Sequence, residues 1–156
     1  MNFDDLKPAL LGEWEGTKLL YFNPPPEPAI SSASKLSVRP VAGGSFLQFD
    51  YDWTYEGEAQ SGVLILGSDE ENAATAAWVD SFHMSSKIMH CTGGATDRSV
   101  DLRGSYQAPP GPDWGWRIAI GSSSAAELRI VMHNISPEGQ EDLAVQIDYT
   151  RSNVLK

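Results

Sequence analysis

Asp80, His83 and Lys87 are the side chains best suited to chemistry at neutral pH, and they follow directly on Trp78. Asp80 shares strand parity with Trp78, so both fall on one face of an extended segment. A carboxylate on an aromatic face is costly unless it is paired. Across a tight connection at 83–86, Lys87 shares parity with Met89 and Cys91. The spacing therefore predicts an inward Asp80–Lys87 pair that could orient a polar ligand group, or, more plainly, an ion pair at a rim. His83 falls in the connection itself and carries the usual neutral-pH acid/base and metal-ligand chemistry. There are only three histidines, and His90 and His133 fall at outward parity, so no metal cluster and no cofactor is implied. His90 precedes Cys91, and Ser81 follows Asp80, but adjacent strand residues face opposite ways, which argues against a dyad at either place. There is no Gly-x-Ser-x-Gly, no His-Glu-x-x-His and no phosphate-cradling glycine loop. No residue is assigned as catalytic.

The elements that must position these residues are short strands. A helical turn is expected from Asn2 to Lys7, capped by Asn2 and ended by Pro8. Then comes an extended run in which Gly12, Trp14, Gly16, Lys18 and Leu20 share one face. Residues 23–32 contain four prolines and read as a semi-rigid loop. Further strands are expected at 35–41, 46–55, 59–66, 73–82, 87–92, 99–106, 114–120, 127–133 and 143–151. In 46–55 the alternation is clean: Leu47, Phe49, Tyr51, Trp53 and Tyr55 against Gln48, Asp50, Asp52 and Thr54. Gly43-Gly44, Gly57, Gly93-Gly94, the proline-rich 108–113 and Ser136-Pro137-Glu138-Gly139 supply the turns. In the last strand Leu143, Val145, Ile147, Tyr149 and Arg151 are in step.

About ten regularly spaced strands with no intervening helical period predict an all-β fold: one antiparallel up-and-down barrel, residues 1–156 forming a single domain. Following the strand directions puts both long proline-rich loops at one end and the short Gly/Ser turns at the other. That describes a cup with one mouth. Trp14 would sit in the floor, and Arg151, arriving at the same end with inward parity, could lie over its ring. The inward aromatics Tyr51, Trp53, Trp78, Tyr106, Trp114 and Trp116, with Asp80, His83 and Lys87, make the expected ligand-binding set. The plainer reading is that the rings fill the barrel.

Composition bounds the partners. Of 156 residues, 41% are hydrophobic and 21% charged, ordinary values for a folded soluble protein, and the net charge is −10. That field repels a phosphate backbone or an anionic bilayer, so neither nucleic acid nor membrane is an expected partner. A single cysteine and an N-terminus without an apolar signal segment fit a cytoplasmic location. A homo-oligomer stays open.

Gly12-x-Trp14 after a short N-terminal turn, with Arg151 in the final strand, resembles the lipocalin and calycin superfamily. More closely, Leu11-Gly12-Glu13-Trp14-Glu15-Gly16, Trp78-Val79-Asp80-Ser81, Trp116-Arg117 and the run from Met132 to Glu141 leading to Tyr149-Thr150-Arg151 resemble a bacterial lipocalin-like family without assigned function. The resemblance implies a barrel sealed by Trp14 and Arg151 that takes a small apolar or amphipathic ligand in its lumen. Similarity to the nitrobindin-like barrels implies haem as an alternative, for which the late strands offer only His133. An enzyme using Asp80 or His83 as acid/base is the third reading.

Overall fold

The computed structural model describes residues 3–152. Helix α1 (Phe3–Leu10) precedes ten strands: β1 (Gly12–Leu20), β2 (Ile30–Val41), β3 (Phe46–Tyr55), β4 (Glu58–Ser68), β5 (Ala73–Asp80), β6 (Met89–Ala95), β7 (Ser99–Tyr106), β8 (Trp114–Ser124), β9 (Glu127–Ile135) and β10 (Glu141–Arg151). Each strand pairs antiparallel with its sequence neighbours, and β1 closes on β10, giving an up-and-down barrel. The expected all-β ten-strand barrel is therefore present. Alternation decides the lining: Leu47, Phe49, Tyr51 and Trp53 are buried while Asp52 and Thr54 are exposed.

Three boundaries move for physical reasons. Strand β2 begins at Ile30, opposite Leu20, because the serine-rich stretch supplies backbone pairing to β1 along its whole length. Gly93 and Gly94 lie within β6 and do not form the turn. A side chain at Gly93 would collide with the backbone of Asp101 on β7, so glycine serves a close strand approach there. The reversal comes later, where Thr96 Oγ1 accepts from the Arg98 and Ser99 amides. In β10 a bulge at Ala144 shifts the register. Leu143 consequently pairs with His133 on the outer face and is out of step with Val145, contrary to the simple alternation.

Helix α1 also differs from expectation. Pro8 lies inside it, and the Leu11 amide still reaches the Lys7 carbonyl at 3.1 Å, so the proline does not end the helix. The proposed Asn2 cap lies outside the described residues. Phe3, Leu6 and Leu10, spaced for one helical face, are buried against the barrel end. The helix is pinned by Lys7 Nζ to the Gly44 carbonyl and by the Phe3 amide to Asn72 Oδ1, both on turns of the floor.

The floor itself is a clasp. Trp14 and Arg151 are register partners, and the guanidinium lies 4.2 Å from the indole centroid. Arg151 donates to the carbonyls of Leu11 (2.5 Å), Ala9 (3.1 Å) and Ala125 (2.8 Å). Trp14 Nε1 donates to the Leu10 carbonyl at 2.9 Å. The unpaired carbonyls that end α1 are thus satisfied by one cation and one indole, at the helix end where positive charge is favoured.

Arg151→Lys keeps the charge but cannot serve three divergent carbonyls. It should destabilise the barrel by about 2–4 kcal/mol, read as a lower urea midpoint at unchanged slope. A loss within about 0.5 kcal/mol, the range of an ordinary surface substitution, would show that the floor does not depend on this clasp.

Candidate functional site

The lumen is packed near the floor and polar near the mouth. In its middle, Phe49, Tyr51, Leu64, Trp78 and Ile118 leave a void of only about 10 Å³. Above this, three ionisable or hydroxylic side chains from separate strands are buried: Lys18 (β1), Tyr51 (β3) and Asp80 (β5).

Asp80 is fully satisfied. Its Oδ2 accepts from the Tyr51 hydroxyl at 2.5 Å, and its Oδ1 accepts from the Phe82 and His83 amides, each at 2.8 Å. Tyr51 in turn accepts from Trp78 Nε1 at 3.0 Å. Tyr51 and Asp80 sit on strands separated by β4, and both pair with Gly62. A Cβ there would collide with the Tyr51 ring, so the missing side chain is what lets Tyr51 lean across β4. Burial and the neighbouring Asp80 charge hold the Tyr51 hydroxyl well above its ordinary value, so it remains a donor. The Asp80 carbonyl also accepts from the Met84 amide. Asp80 thereby fixes the 81–88 connection and aims His83 into the barrel.

Lys87 does not join this network. The 81–88 connection is longer and more wound than a tight hairpin, β6 starts only at Met89, and Lys87 is exposed. The expected Asp80–Lys87 pair is replaced by Tyr51 and two backbone amides. The lysine that does face the lumen is Lys18, 2% exposed. Its ammonium stands 3.2 Å from the Trp53 ring centroid and makes no salt bridge among the described residues. Burial brings it down to about 7 from 10.5, with the Asp80 charge pulling the other way. The signal for Lys18 was in the sequence: it shares parity with Trp14.

His83 fills an aromatic box. Its ring lies 5.9 Å from Trp53 in a stacked arrangement, 5.9 Å from Trp78, 5.4 Å from Trp116 and 5.0 Å from Phe82. Burial, then repulsion from Lys18, lowers it to about 4, so the imidazole is neutral at pH 7. Trp78 and Trp116 stack at 5.7 Å, and Tyr106 meets Trp116 edge-on while donating to Asn134 Oδ1 at 2.5 Å. Trp114, at the start of β8, is only half-buried and stands at the rim.

Three voids adjoin at this end, and His83 walls all of them. One of about 130 Å³ lies between His83, Met89, Tyr106 and Trp116. One of about 240 Å³ opens toward Phe22, Asn134 and Asp142. One of about 380 Å³ lies beside Met84, Lys87 and Asp113. Trp53 Nε1, His83 Nε2 and Trp116 Nε1 are buried without a hydrogen-bond partner among the described residues. Trp116 walls two of these voids with His83, and Trp53 lies behind the His83 ring. A larger groove of about 740 Å³ lies at the floor end, where Arg129 is already paired with Asp148 at 2.6 Å, and it contains none of these orphaned nitrogens.

Other candidates resolve simply. Cys91 is buried, which pushes its thiol up to about 11, and His90 beside it is exposed. His133 lies on the outer face opposite Arg117. No group of three or more His, Cys, Asp or Glu among the described residues is arranged to hold a metal ion. No described helix is long and apolar enough to cross a membrane.

Residues 8–151 match the family model described as protein of unknown function (DUF1579), and the chain belongs to that family. No curated protein matches the chain. Among solved structures, the crystal structure of Rv2717c from M. tuberculosis aligns with TM-score 0.62 at 16% identity, over 96% of this chain and 98% of that one. The S-type phycobiliprotein lyase CPES from Guillardia theta aligns with TM-score 0.64 at 12% identity, over 100% of this chain and 95% of that one. At these identities the likeness is one of fold.

Lys18 ties stability to pH. The unfolded chain holds this proton up to about pH 10.5 and the folded one only to about 7, so unfolding takes up a proton between those values. Stability therefore rises with pH across that window, and the penalty, on the order of 5 kcal/mol, is fully present below pH 7. Lys18→Met should remove that slope. Its advantage over wild type in urea melts should be greatest at pH 6 to 7 and should shrink toward pH 10. Parallel stability curves would exclude a buried, weakly compensated ammonium.

Proposed function

We propose that this member of the DUF1579 family is a calycin-like binding protein, which takes a small apolar or amphipathic molecule into the mouth half of its barrel. The observation that carries the reading is that His83 alone is common to three adjoining voids. The two ends of the lumen differ in kind. Toward the floor, side chains leave almost no space, as a stable core requires. Toward the mouth, Trp53, Trp78 and Trp116 form a box whose present occupant is a side chain of the protein's own connection.

The anchoring of that connection supports the same reading. Asp80 holds the Phe82 and His83 amides, so the backbone is fixed by hydrogen bonds while the His83 ring is held by aromatic contacts. No hydrogen bond holds His83 Nε2 in the box. A swing of χ1 would join the voids without breaking the network beneath. At the rim, Phe22 and Ile88 are 59% and 61% exposed, which gives an arriving apolar molecule a first surface. The phycobiliprotein lyase named above shares the barrel but lends no ligand identity at 12% identity.

The acid/base reading of Asp80 and His83 has less support. All the accepting capacity that Asp80 shows is directed to holding structure. For haem, His133 faces away from the lumen.

A neutral solvatochromic dye such as Nile red should bind saturably, with a blue shift and quenching of tryptophan emission. His83→Ala should tighten that binding about tenfold, since the box no longer has to be emptied. Saturable binding by neither protein would overturn the proposal.

A further inference from the structure

Resting on that reading, we infer that the molecule bound at the mouth carries a carboxylate, held head-inward by the Trp53 and Trp116 indole N–H groups and the Lys18 ammonium, with its apolar body toward the rim. The argument is an inventory of donors and acceptors. An indole N–H can only donate, and an ammonium can only donate. Trp53 Nε1 and Trp116 Nε1 are buried without hydrogen-bond partners among the described residues, and the Lys18 ammonium lies on the face of Trp53 with no salt bridge among them. Trp116 already walls the voids, whereas Trp53 and Lys18 lie behind His83 and become accessible when that ring leaves the box. The one anion among them, Asp80, already accepts three hydrogen bonds from Tyr51 and two backbone amides. This end of the lumen therefore has donors in surplus and a positive charge without a contact counter-ion. Buried polar groups are otherwise almost always satisfied. A ligand group that accepts several hydrogen bonds and carries negative charge completes the set, and a carboxylate does so with two oxygens.

The geometry also sets the orientation. Below the donors the lumen is filled, so a long apolar body cannot extend toward the floor. Above them the voids walled by His83 lead out past Phe22 and Ile88. Asp142 lies on the rim side of the 240 Å³ void and already accepts from Gln140 Nε2, which discourages an inverted, head-outward pose. A cationic head would meet Lys18 with like charge and leave both indoles unpaired.

The test uses the intact protein and three molecules with the same straight chain: dodecanoate, methyl dodecanoate and dodecylamine, each displacing the neutral dye below its aggregation concentration. Wild type should favour dodecanoate over the ester by about tenfold or more, with the amine weakest. Lys18→Met, an apolar replacement of similar length, should lose most of the preference for dodecanoate over the ester, the ratio of the two affinities falling toward one. Trp116→Phe should weaken both chains and lower dodecanoate affinity several-fold more than that of the ester. Near-ultraviolet circular dichroism will show that the aromatic box persists in each variant. Equal affinity for acid and ester, or a preference that survives Lys18→Met, would overturn the inference. If the dye binds but no chain displaces it, the carboxylate assignment falls and the mouth cavity stands; if the dye itself does not bind, both fall.

Discussion

The structure depends on closing one end of the barrel with a guanidinium. A ten-strand barrel has an open ring of backbone at each end, and a short helix placed across one of them brings its own unpaired carbonyls. Arg151 answers both needs. It lies on the Trp14 ring, reaches Ala9 and Leu11 at the end of α1, and reaches Ala125 on the turn between β8 and β9. Because Arg151 belongs to β10 and Trp14 to β1, the same contact ties the two strands whose pairing closes the barrel. A lysine or an apolar residue could supply charge or packing there, but not three directed donors from one plane. With that end sealed, the voids walled by His83 lie at the far end.

Sealing one end concentrates the irregular features at the other. The residues that local rules would keep out of a core, Lys18 and Asp80, are both buried in the mouth half. Their situations are unlike. Asp80 accepts three hydrogen bonds and acts as a bracket for the 81–88 connection. Lys18 has only an aromatic face, a contact that offsets part but not all of its desolvation. A satisfied buried charge is adequately explained by structure. An unsatisfied one that the fold could have replaced with methionine is the kind of local inconsistency that accompanies a binding site.

The strand count and the lining were legible in the sequence because both depend on local signals. Alternation such as Leu47, Phe49, Tyr51, Trp53 needs no knowledge of the partner strand, and proline and glycine punctuate the rest. Register was not legible where a single residue intervenes. The bulge at Ala144 turned Leu143 outward, and glycines that resemble a turn served a close approach at Gly93 instead. The geometry around Asp80 was legible only in part for the same reason. Trp53, Trp78, Asp80 and His83 were named from parity and position. Tyr51 as the partner of Asp80 required knowing that Gly62 lies between them two strands apart. Lys87 was favoured over Lys18 because it is near Asp80 in sequence, whereas Lys18 reaches the same volume from the other side of the barrel. Shared parity with Trp14 was the better guide, since a face persists along a strand and proximity across a loop does not.

How such a site could open without loosening the barrel follows from which atoms hold the connection. The bonds to Asp80 run to backbone amides, and the box encloses a side chain that makes ring contacts but no hydrogen bond through Nε2. Ring contacts in a box of this kind are each worth about 1 kcal/mol, and a molecule that inserts its own apolar surface replaces them in kind. The backbone bonds to a buried carboxylate are worth more and have no replacement in water-poor surroundings. Displacement of His83 is therefore the low-cost motion and displacement of the 81–88 backbone the high-cost one. A neutral imidazole suits the role, because a charged one would be held by Asp80 and repelled by Lys18 at once, and burial has already driven its proton off at pH 7. In the proposed reading the gate and the bracket are thus consecutive parts of one short segment, Asp80 holding the backbone from which the His83 side chain projects.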